Sequence, residues 1–89
     1  MIEEIIQTLK RIFNPPRFII RIHDGNMVME KGKVVKKFLD ECTELSKSNG
    51  ENSGKIFGVE SEYGLRLEFS NNIPENIQQR FRNIWGIYK

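Results

Sequence analysis

The side chains of this 89-residue chain that could do chemistry are mostly basic and form two groups. The first group surrounds Gly32 and consists of Lys31, Lys33, Lys36 and Lys37. The second group is Arg80 with Arg82, near the carboxyl end. Ammonium groups beside the free N–H groups of a helix start attract anions such as phosphate. These six residues are therefore the candidate contacts to an anion or a nucleic acid.

A solvated helix face is the plainer interpretation of the lysine cluster, and we prefer it. Lys36 stands four residues before Asp40, and Lys37 stands four before Glu41. This is the spacing of ion pairs along one face of a helix. The polar side of the last helix carries amides and arginines that suit phosphates and base edges, but no helix-turn-helix pattern, RNP-type aromatic motif or GxxG clamp accompanies them.

Catalytic and metal chemistry find little support in the remaining side chains. His23 precedes an Asp24-Gly25 pair, and a histidine at that place is typical of a turn residue rather than of an acid-base catalyst. Cys42, the only cysteine, falls within an apolar stripe, where burial should raise its thiol pKa. No CxxC pair or Cys/His cluster is present, and Gly32-Lys33 lacks the other P-loop glycines. We expect no enzyme, no cofactor and no metal site.

Size and charge set the general class. A chain of 89 residues makes one domain and buries roughly 60 to 65% of its extended surface. Fourteen basic residues against twelve acidic ones give a formal net charge of +2, which is too mild to indicate nucleic acid or membrane by itself. A single cysteine allows no internal disulfide, so we expect a reducing, cytoplasmic setting.

The elements that must position these residues begin with an amphipathic helix over Met1 to Phe13. Its apolar residues recur at helical spacing: Ile2, Ile5, Ile6, Leu9, Ile12 and Phe13. The stretch is too short and too charged for a membrane span of about 20 residues, and it lacks the features of a signal peptide. Pro15 and Pro16 stop the helix. We divide the chain into residues 1–16, the helix and its stop, and residues 17–89, a compact ββαββα domain.

A β-hairpin follows, with Asp24-Gly25 as its two-residue loop. This loop places His23 opposite Asn26 and Ile20 opposite Met29. One face of the hairpin is then apolar and should lie on the core, with Phe18, Ile20, Ile22, Met27 and Met29. The other face is mixed, with Ile19, Arg21, His23, Val28 and Glu30, which suggests that something covers part of it.

The central helix is predicted over Lys33 to Ser46, with an apolar stripe at Val34, Val35, Phe38, Leu39, Cys42 and Leu45. A polar loop over residues 46–53 separates it from a second hairpin of residues 55–61 and 65–70. A three-residue loop with Gly64 in the left-handed position would set Phe57 and Val59 opposite Phe69 and Leu67. A loop one residue shorter or longer would instead turn Ile56 and Gly58 inward with Leu65 and Leu67, and this choice stays open.

A last helix begins near Pro74, which suits a first turn, and Gly86 should loosen its end. Its apolar stripe is Ile77, Phe81, Ile84, Trp85 and Tyr88. Together the elements predict an α+β single domain, αββαββα, with a four-stranded antiparallel sheet covered by helices.

Several short motifs resemble a small bacterial family of unknown function. They are Arg21-x-His23-Asp24-Gly25, Gly32-Lys33-Val34, Gly54-x-Ile56-x-Gly58, Arg66-Leu67-x-Phe69-Ser70, Ile73-Pro74 and residues 78–83. The resemblance runs from about Arg17 to Trp85 and implies a bacterial source and a shared fold, but no activity. In some members of that family a longer apolar segment precedes the domain as a membrane anchor. Here the charged segment over residues 1–13 takes that place, which favours surface association over anchoring.

The function that we expect is a small non-enzymatic binding or interaction module, meeting a protein partner or a second copy of the chain. Its candidate interaction surface is Ile2, Ile5, Ile6, Leu9, Arg21 and His23. The alternative is weak phosphate-directed binding to nucleic acid, which requires the lysine cluster and the two arginines to converge on one side. Peripheral contact of the first helix with a membrane is a third hypothesis.

Overall fold

The computed structural model describes residues 15–48, 53–62 and 64–88. Its elements, in chain order, are strands β1 (Phe18–His23) and β2 (Asn26–Lys31), helix α1 (Lys36–Ser48), strands β3 (Gly54–Ser61) and β4 (Gly64–Phe69), and helix α2 (Glu75–Tyr88). This order confirms the predicted α+β class and the four-stranded antiparallel sheet. The predicted first helix lies outside the described residues.

The sheet has the order β2-β1-β3-β4, so each hairpin contributes one inner strand. The inner strands β1 and β3 run antiparallel, with Ile20 opposite Ile56. Because a helix follows each hairpin, the described chain consists of two ββα halves arranged symmetrically about the central strand pair.

The first hairpin has the predicted register. Asp24 and Gly25 form the loop with φ of 49° and 81°, and His23 lies opposite Asn26. Ile20 faces Met29, but Ile19 faces Lys31, so Glu30 is an extra residue in β2 that makes a bulge.

The second hairpin does not have the three-residue loop that Gly64 suggested. Ser61 lies opposite Gly64, so the paired strands are only two positions apart, and Gly64, with φ of 102°, is the first residue of β4. The shorter alternative therefore holds, and the pairing of Phe57 with Phe69 is wrong. Ile56 and Gly58 turn inward opposite Phe69 and Leu67, because this register buries four residues on the core face.

Both helices pack on this inner face of the sheet and share one apolar core. The core includes Ile20 and Ile56 from the inner strands, Phe38 from α1 and Phe81 from α2, all with no exposed surface. Helix α1 begins at Lys36, three residues later than predicted, and Val35 is 57% exposed rather than part of a buried stripe. The predicted stripe of α2 packs on the core as expected, and the helix continues past Gly86.

Candidate functional site

An apolar groove of about 410 Å³ lies where α1 begins and α2 ends. Its lining residues come from both helices, two strands and the segment before α1: Phe18, Lys33, Val34, Val35, Phe38, Leu65, Trp85 and Tyr88. This volume lies within the usual range of pockets that accept a side chain or a small ligand, about 300 to 1,000 Å³. The groove is open to solvent and mostly hydrophobic.

The floor of the groove is a cluster of aromatic rings. The ring of Phe38 lies edge-on to Trp85 and Tyr88, with centroid distances of 5.0 and 6.1 Å. Phe18 lies 5.6 Å from Trp85. The indole Nε1 of Trp85 donates a hydrogen bond to the Leu65 carbonyl oxygen, 3.0 Å away. Trp85 is therefore held in one orientation while its side chain stays half-buried.

The predicted lysine cluster lies beside this groove. Lys33 lines it, and Lys36 and Lys37 open the first turn of α1 directly after two further lining residues. The four lysines of the cluster, which include Lys31, are all exposed. None of them forms an ion pair with a carboxylate of residues 15–48, 53–62 or 64–88. The lysine charges therefore have no carboxylate neutralising them in that part of the chain.

The lysines are exposed, as the interpretation of a solvated helix face expects, but the ion pairs expected along that face are not formed among the described residues. Lys36 does not pair with Asp40, and Lys37 does not pair with Glu41. Glu41 instead lies near Tyr88 of α2. Burial and the nearby Glu41 carboxylate raise the pKa of the Tyr88 hydroxyl. The Glu41 carboxylate therefore interacts with a residue of α2.

The start of α1 adds positive charge to the same place. The Val35 carbonyl accepts the first helical hydrogen bond, from the Leu39 amide at 3.2 Å, so Val35 is the N-cap residue. Valine has no side-chain oxygen that could accept a hydrogen bond from the free backbone amides, and the first turn contains no acidic residue. The positive end of the helix dipole therefore adds to the lysine charges.

The two predicted arginines lie elsewhere. Arg80 lines a different groove, between the two helices, together with Glu44. Arg82 sits over the Phe69 ring at 5.1 Å and reaches the Gln78 side chain at 3.4 Å. Among the three grooves lined by these basic residues, none contains both a lysine of the cluster and an arginine. Lys33 and Arg82 line separate grooves, and these two grooves share Leu65 and Trp85.

Arg21 and His23, predicted as part of an interaction surface, are exposed on the outer face of the sheet. The Glu30 carboxylate lies 3.8 Å from Arg21 Nε and 3.1 Å from Lys55 Nζ. His23 Nε2 lies 3.3 Å from Asp24 Oδ2 in the exposed turn. The other residues of that predicted surface lie outside the described residues: Ile2, Ile5, Ile6 and Leu9.

Cys42 is fully buried in the core, as its place in the apolar stripe indicated. Burial, with a smaller effect of Glu41, raises the pKa of its thiol to about 12. The thiol is therefore protonated at neutral pH and packs as a small apolar group. Across the described residues, no three His, Cys, Asp or Glu side chains lie close enough to hold a metal ion.

Sequence reasoning missed the groove because it assigned its lining residues to buried stripes. Val34 and Val35 were expected inside a helix, and Trp85 and Tyr88 were expected in the core. One signal was available: no Ser, Thr, Asp or Asn lies directly before Lys33, so Gly32 was the only N-cap candidate next to it. Residues 33–35 instead lie outside the helix, and Val35 is exposed in the groove that Trp85 and Tyr88 also line.

The described residues form a small two-layer α+β domain with an apolar groove that Lys33 lines. The chain belongs to the family described as "Protein of unknown function (DUF3634)", whose model matches residues 2–89. This confirms the resemblance to a family without a known activity. Neither the curated proteins nor the solved structures give a match. Of the helices in the described ranges, none has the length and hydropathy needed to cross a bilayer.

Proposed function

We propose that this domain is a non-enzymatic binding module whose groove captures an acidic peptide segment of a partner protein. The observation that carries the proposal is the coincidence of an apolar, aromatic-floored groove with lysines that no described carboxylate neutralises. A ligand with acidic residues around an apolar anchor complements both features.

The apolar part of such a ligand would supply most of the affinity. A single Phe or Leu side chain, moved from water into the space above Trp85 and Phe38, contributes about 1.5 to 3 kcal/mol. Rigid aromatic residues at the centre of a small interface are typical binding hot spots. The hydrogen bond from Trp85 to Leu65 lowers the cost of binding, because the indole is oriented before the ligand arrives.

The acidic residues of the ligand would orient it in the groove and increase its rate of association. Exposed ion pairs contribute about 0.2 to 1 kcal/mol each, so several are needed for a useful effect. Lys33 lines the groove, Lys36 and Lys37 lie in the first turn of α1 beside it, and the start of α1 offers free amides to a carboxylate. A neutral apolar peptide should therefore bind more weakly than an acidic one of the same shape.

The test uses the fluorescence of Trp85, the only tryptophan in the chain and a lining residue of the groove. The probe is a synthetic peptide of about a dozen residues with glutamates on both sides of a central phenylalanine. We expect its addition to change the Trp85 emission in a saturable way. Replacing the phenylalanine of the peptide by serine should abolish the change, and replacing its glutamates by glutamine should weaken the binding.

A matched pair of variants of the full chain assigns the effect to the groove. Lys36→Glu, beside the groove, should weaken peptide binding about fivefold or more, which corresponds to about 1 kcal/mol for one lysine. Lys47→Glu makes the same charge change in the last turn of α1 and should leave the affinity unchanged. Equal effects of the two variants would show a response to net charge alone and would contradict the proposal.

Oligonucleotides and a second copy of the chain are the competing ligands, and the same protein tests both. Binding of a short oligonucleotide, but not of the peptide, with an affinity that falls roughly 40- to 150-fold between 50 and 200 mM salt, would replace the proposal by phosphate-directed binding. Self-association in sedimentation that Lys36→Glu abolishes would instead place a second copy in the groove.

A further inference from the structure

A second groove continues from the groove of the candidate site. It lies between β4 and α2 and has a volume of about 460 Å³. Leu65 and Trp85 line both grooves. Because the Trp85 indole donates its hydrogen bond to the Leu65 carbonyl at 3.0 Å, these two residues form a fixed boundary between the grooves. We name the groove that Lys33 lines the first groove, and the groove that Arg82 and Gly86 line the second groove.

Gly86 is an unexpected residue in the wall of the second groove. Glycine is, after proline, the least favourable residue inside a helix, yet Gly86 lies in α2, two residues before the helix ends. Its φ is not positive, and a Cβ atom added there would meet no described atom within 4 Å. Neither the backbone nor the packing of the described residues therefore requires a glycine. The missing side chain does, however, leave the second groove wide at this place.

Arg82 is the cation that the second groove offers to a ligand. The other arginine, Arg66, has its Nη2 atom 3.4 Å from Glu68 Oε2 in the same groove, so these two charges compensate each other. Arg82 is paired, among the described carboxylates, with Glu75 at 3.9 Å, which is too long for a hydrogen bond. Its guanidinium is held over the Phe69 ring at 5.1 Å from the centroid, and its side chain stays 40% exposed.

We propose that the acidic peptide occupies both grooves, with its apolar anchor in the first and a carboxylate on Arg82 in the second. This inference rests on the proposed function and extends the ligand over the Trp85 indole, where Gly86 lets the peptide backbone come close to α2. Arg82 and Tyr88, one in each groove, are six residues apart, which is about 9 Å along the helix axis. An extended chain covers this distance with about three residues.

The ligand is therefore an extended segment with acidic residues on both sides of its apolar anchor, and the two sides meet different cations. On one side, a carboxylate about three residues from the anchor meets Arg82. On the other side, the carboxylates meet Lys33 and the start of α1. Each cation of the protein should then recognise only one half of the peptide.

Two versions of the probe peptide test this division. Both keep the central phenylalanine, and glutamines replace the glutamates on one side or on the other. Trp85 fluorescence measures both affinities, because Trp85 lines both grooves. Arg82→Gln should weaken the binding of one version about fivefold and leave the other unchanged, and Lys33→Gln should show the opposite preference. Arg80→Gln makes the same charge change in α2, but Arg80 lines a third groove, so neither affinity should change.

Two substitutions of Gly86 test the path between the grooves. Gly86→Gln places a long side chain in the second groove and should weaken the Arg82-dependent version at least as much as Arg82→Gln does. Gly86→Ala adds one methyl group and should keep most of the affinity. Both variants replace glycine by a better helix former, so thermal unfolding should show that neither is less stable than the unchanged protein.

The results separate this inference from the proposed function. If no peptide changes the Trp85 emission, both are overturned. If Lys33→Gln weakens binding but Arg82→Gln and Gly86→Gln do not, the proposed function stands and the second groove is not part of the site. An equal effect of Arg82→Gln on both versions of the peptide would show a general charge effect and would also overturn the inference. Opposite preferences of Arg82→Gln and Lys33→Gln, with a block by Gly86→Gln, are the result that we expect.

Discussion

At the scale of single residues, Gly58 has a role that its pairing position alone does not reveal. It lies in the inner strand β3, directly opposite Phe18, and a Cβ atom at this position would overlap the Phe18 ring. That ring is 2% exposed and also contacts Trp85, so it has no free space into which to move. The glycine is what allows Phe18 to lie flat across the sheet and support the groove floor.

We therefore expect Gly58→Ala to destabilise the domain by about 1 to 3 kcal/mol through overpacking. Urea unfolding of the full chain measures the change. Gly86→Ala is the control, because nothing lies within 4 Å of a Cβ at that place in α2. There the gain in helix propensity should stabilise the protein by about 0.5 to 1 kcal/mol. Equal destabilisation by both substitutions would contradict the role of Gly58.

Cys42 gives a prediction about pH. Its thiol pKa is raised from 9.0 to about 12 by burial, so between these values the unfolded chain releases a proton that the folded chain keeps. The thiol therefore stabilises the fold below pH 9, and this contribution is lost as pH rises. The free energy of unfolding should fall by about 2 kcal/mol between pH 9 and pH 10.5 because of this group.

Chemical denaturation at several pH values measures this loss. The Cys42→Ala variant has no thiol, so its stability should fall less steeply over the same range. Parallel pH profiles for the two proteins would show that the thiol ionises equally in the folded and unfolded chains.

At the scale of elements, α1 begins with an unfavourable N-cap that the proposed function explains. Val35→Asp would cap the free amides and place a negative charge at the positive end of the helix. We expect this variant to be more stable by about 1 kcal/mol, and to bind the acidic peptide more weakly because it neutralises part of the lysine charge. Thermal unfolding and Trp85 fluorescence measure the two effects.

Val35→Thr separates capping from charge. It should also increase stability, but with a smaller loss of peptide affinity, because threonine caps without adding a negative charge. A loss of affinity as large as that of Val35→Asp would mean that the valine side chain itself, rather than the local charge, matters for binding. Such a trade of stability for function is common at binding sites.

The elements also show how far the sequence predicts this structure. The register of the first hairpin was predicted correctly from the loop to the pair of Ile20 and Met29, because Asp24-Gly25 specifies a two-residue loop and the loop specifies the register. The bulge at Glu30 was not predicted. The second hairpin was not, because Gly64 suits both a loop and a strand start, and alternating apolar residues occur on both faces. The sequence therefore left open whether Phe57 or Ile56 lies on the core face. The groove was missed for a related reason: periodicity shows which residues are apolar but not which of them remain half-exposed.

At the scale of the whole molecule, the two ββα halves share one core instead of having one each. The core cluster contains residues from β1 and α1 in the first half and from β3, β4 and α2 in the second. Phe18 and Phe38 of the first half both contact Trp85 of the second. Neither half buries these side chains without the other.

Unfolding should therefore be two-state. We expect the urea transition measured by Trp85 fluorescence, which reports on the second half, to coincide with that measured by far-ultraviolet circular dichroism, which reports on all elements. Two separated transitions would show that the halves fold independently.

The symmetric strand order also leaves β2 and β4 as the edges of the described sheet. Edge strands have unpaired backbone groups that recruit strands from other molecules and begin aggregation. Both edge strands have features that prevent such pairing. Strand β2 is bent by the bulge at Glu30, and β4 alternates Arg66 and Glu68 with its apolar residues. Resistance to fibril formation would then depend on a few exposed charges that contribute little to folding stability. Substitutions of these charges that leave the fold intact would therefore still make the protein aggregate sooner at the high protein concentration of a cell.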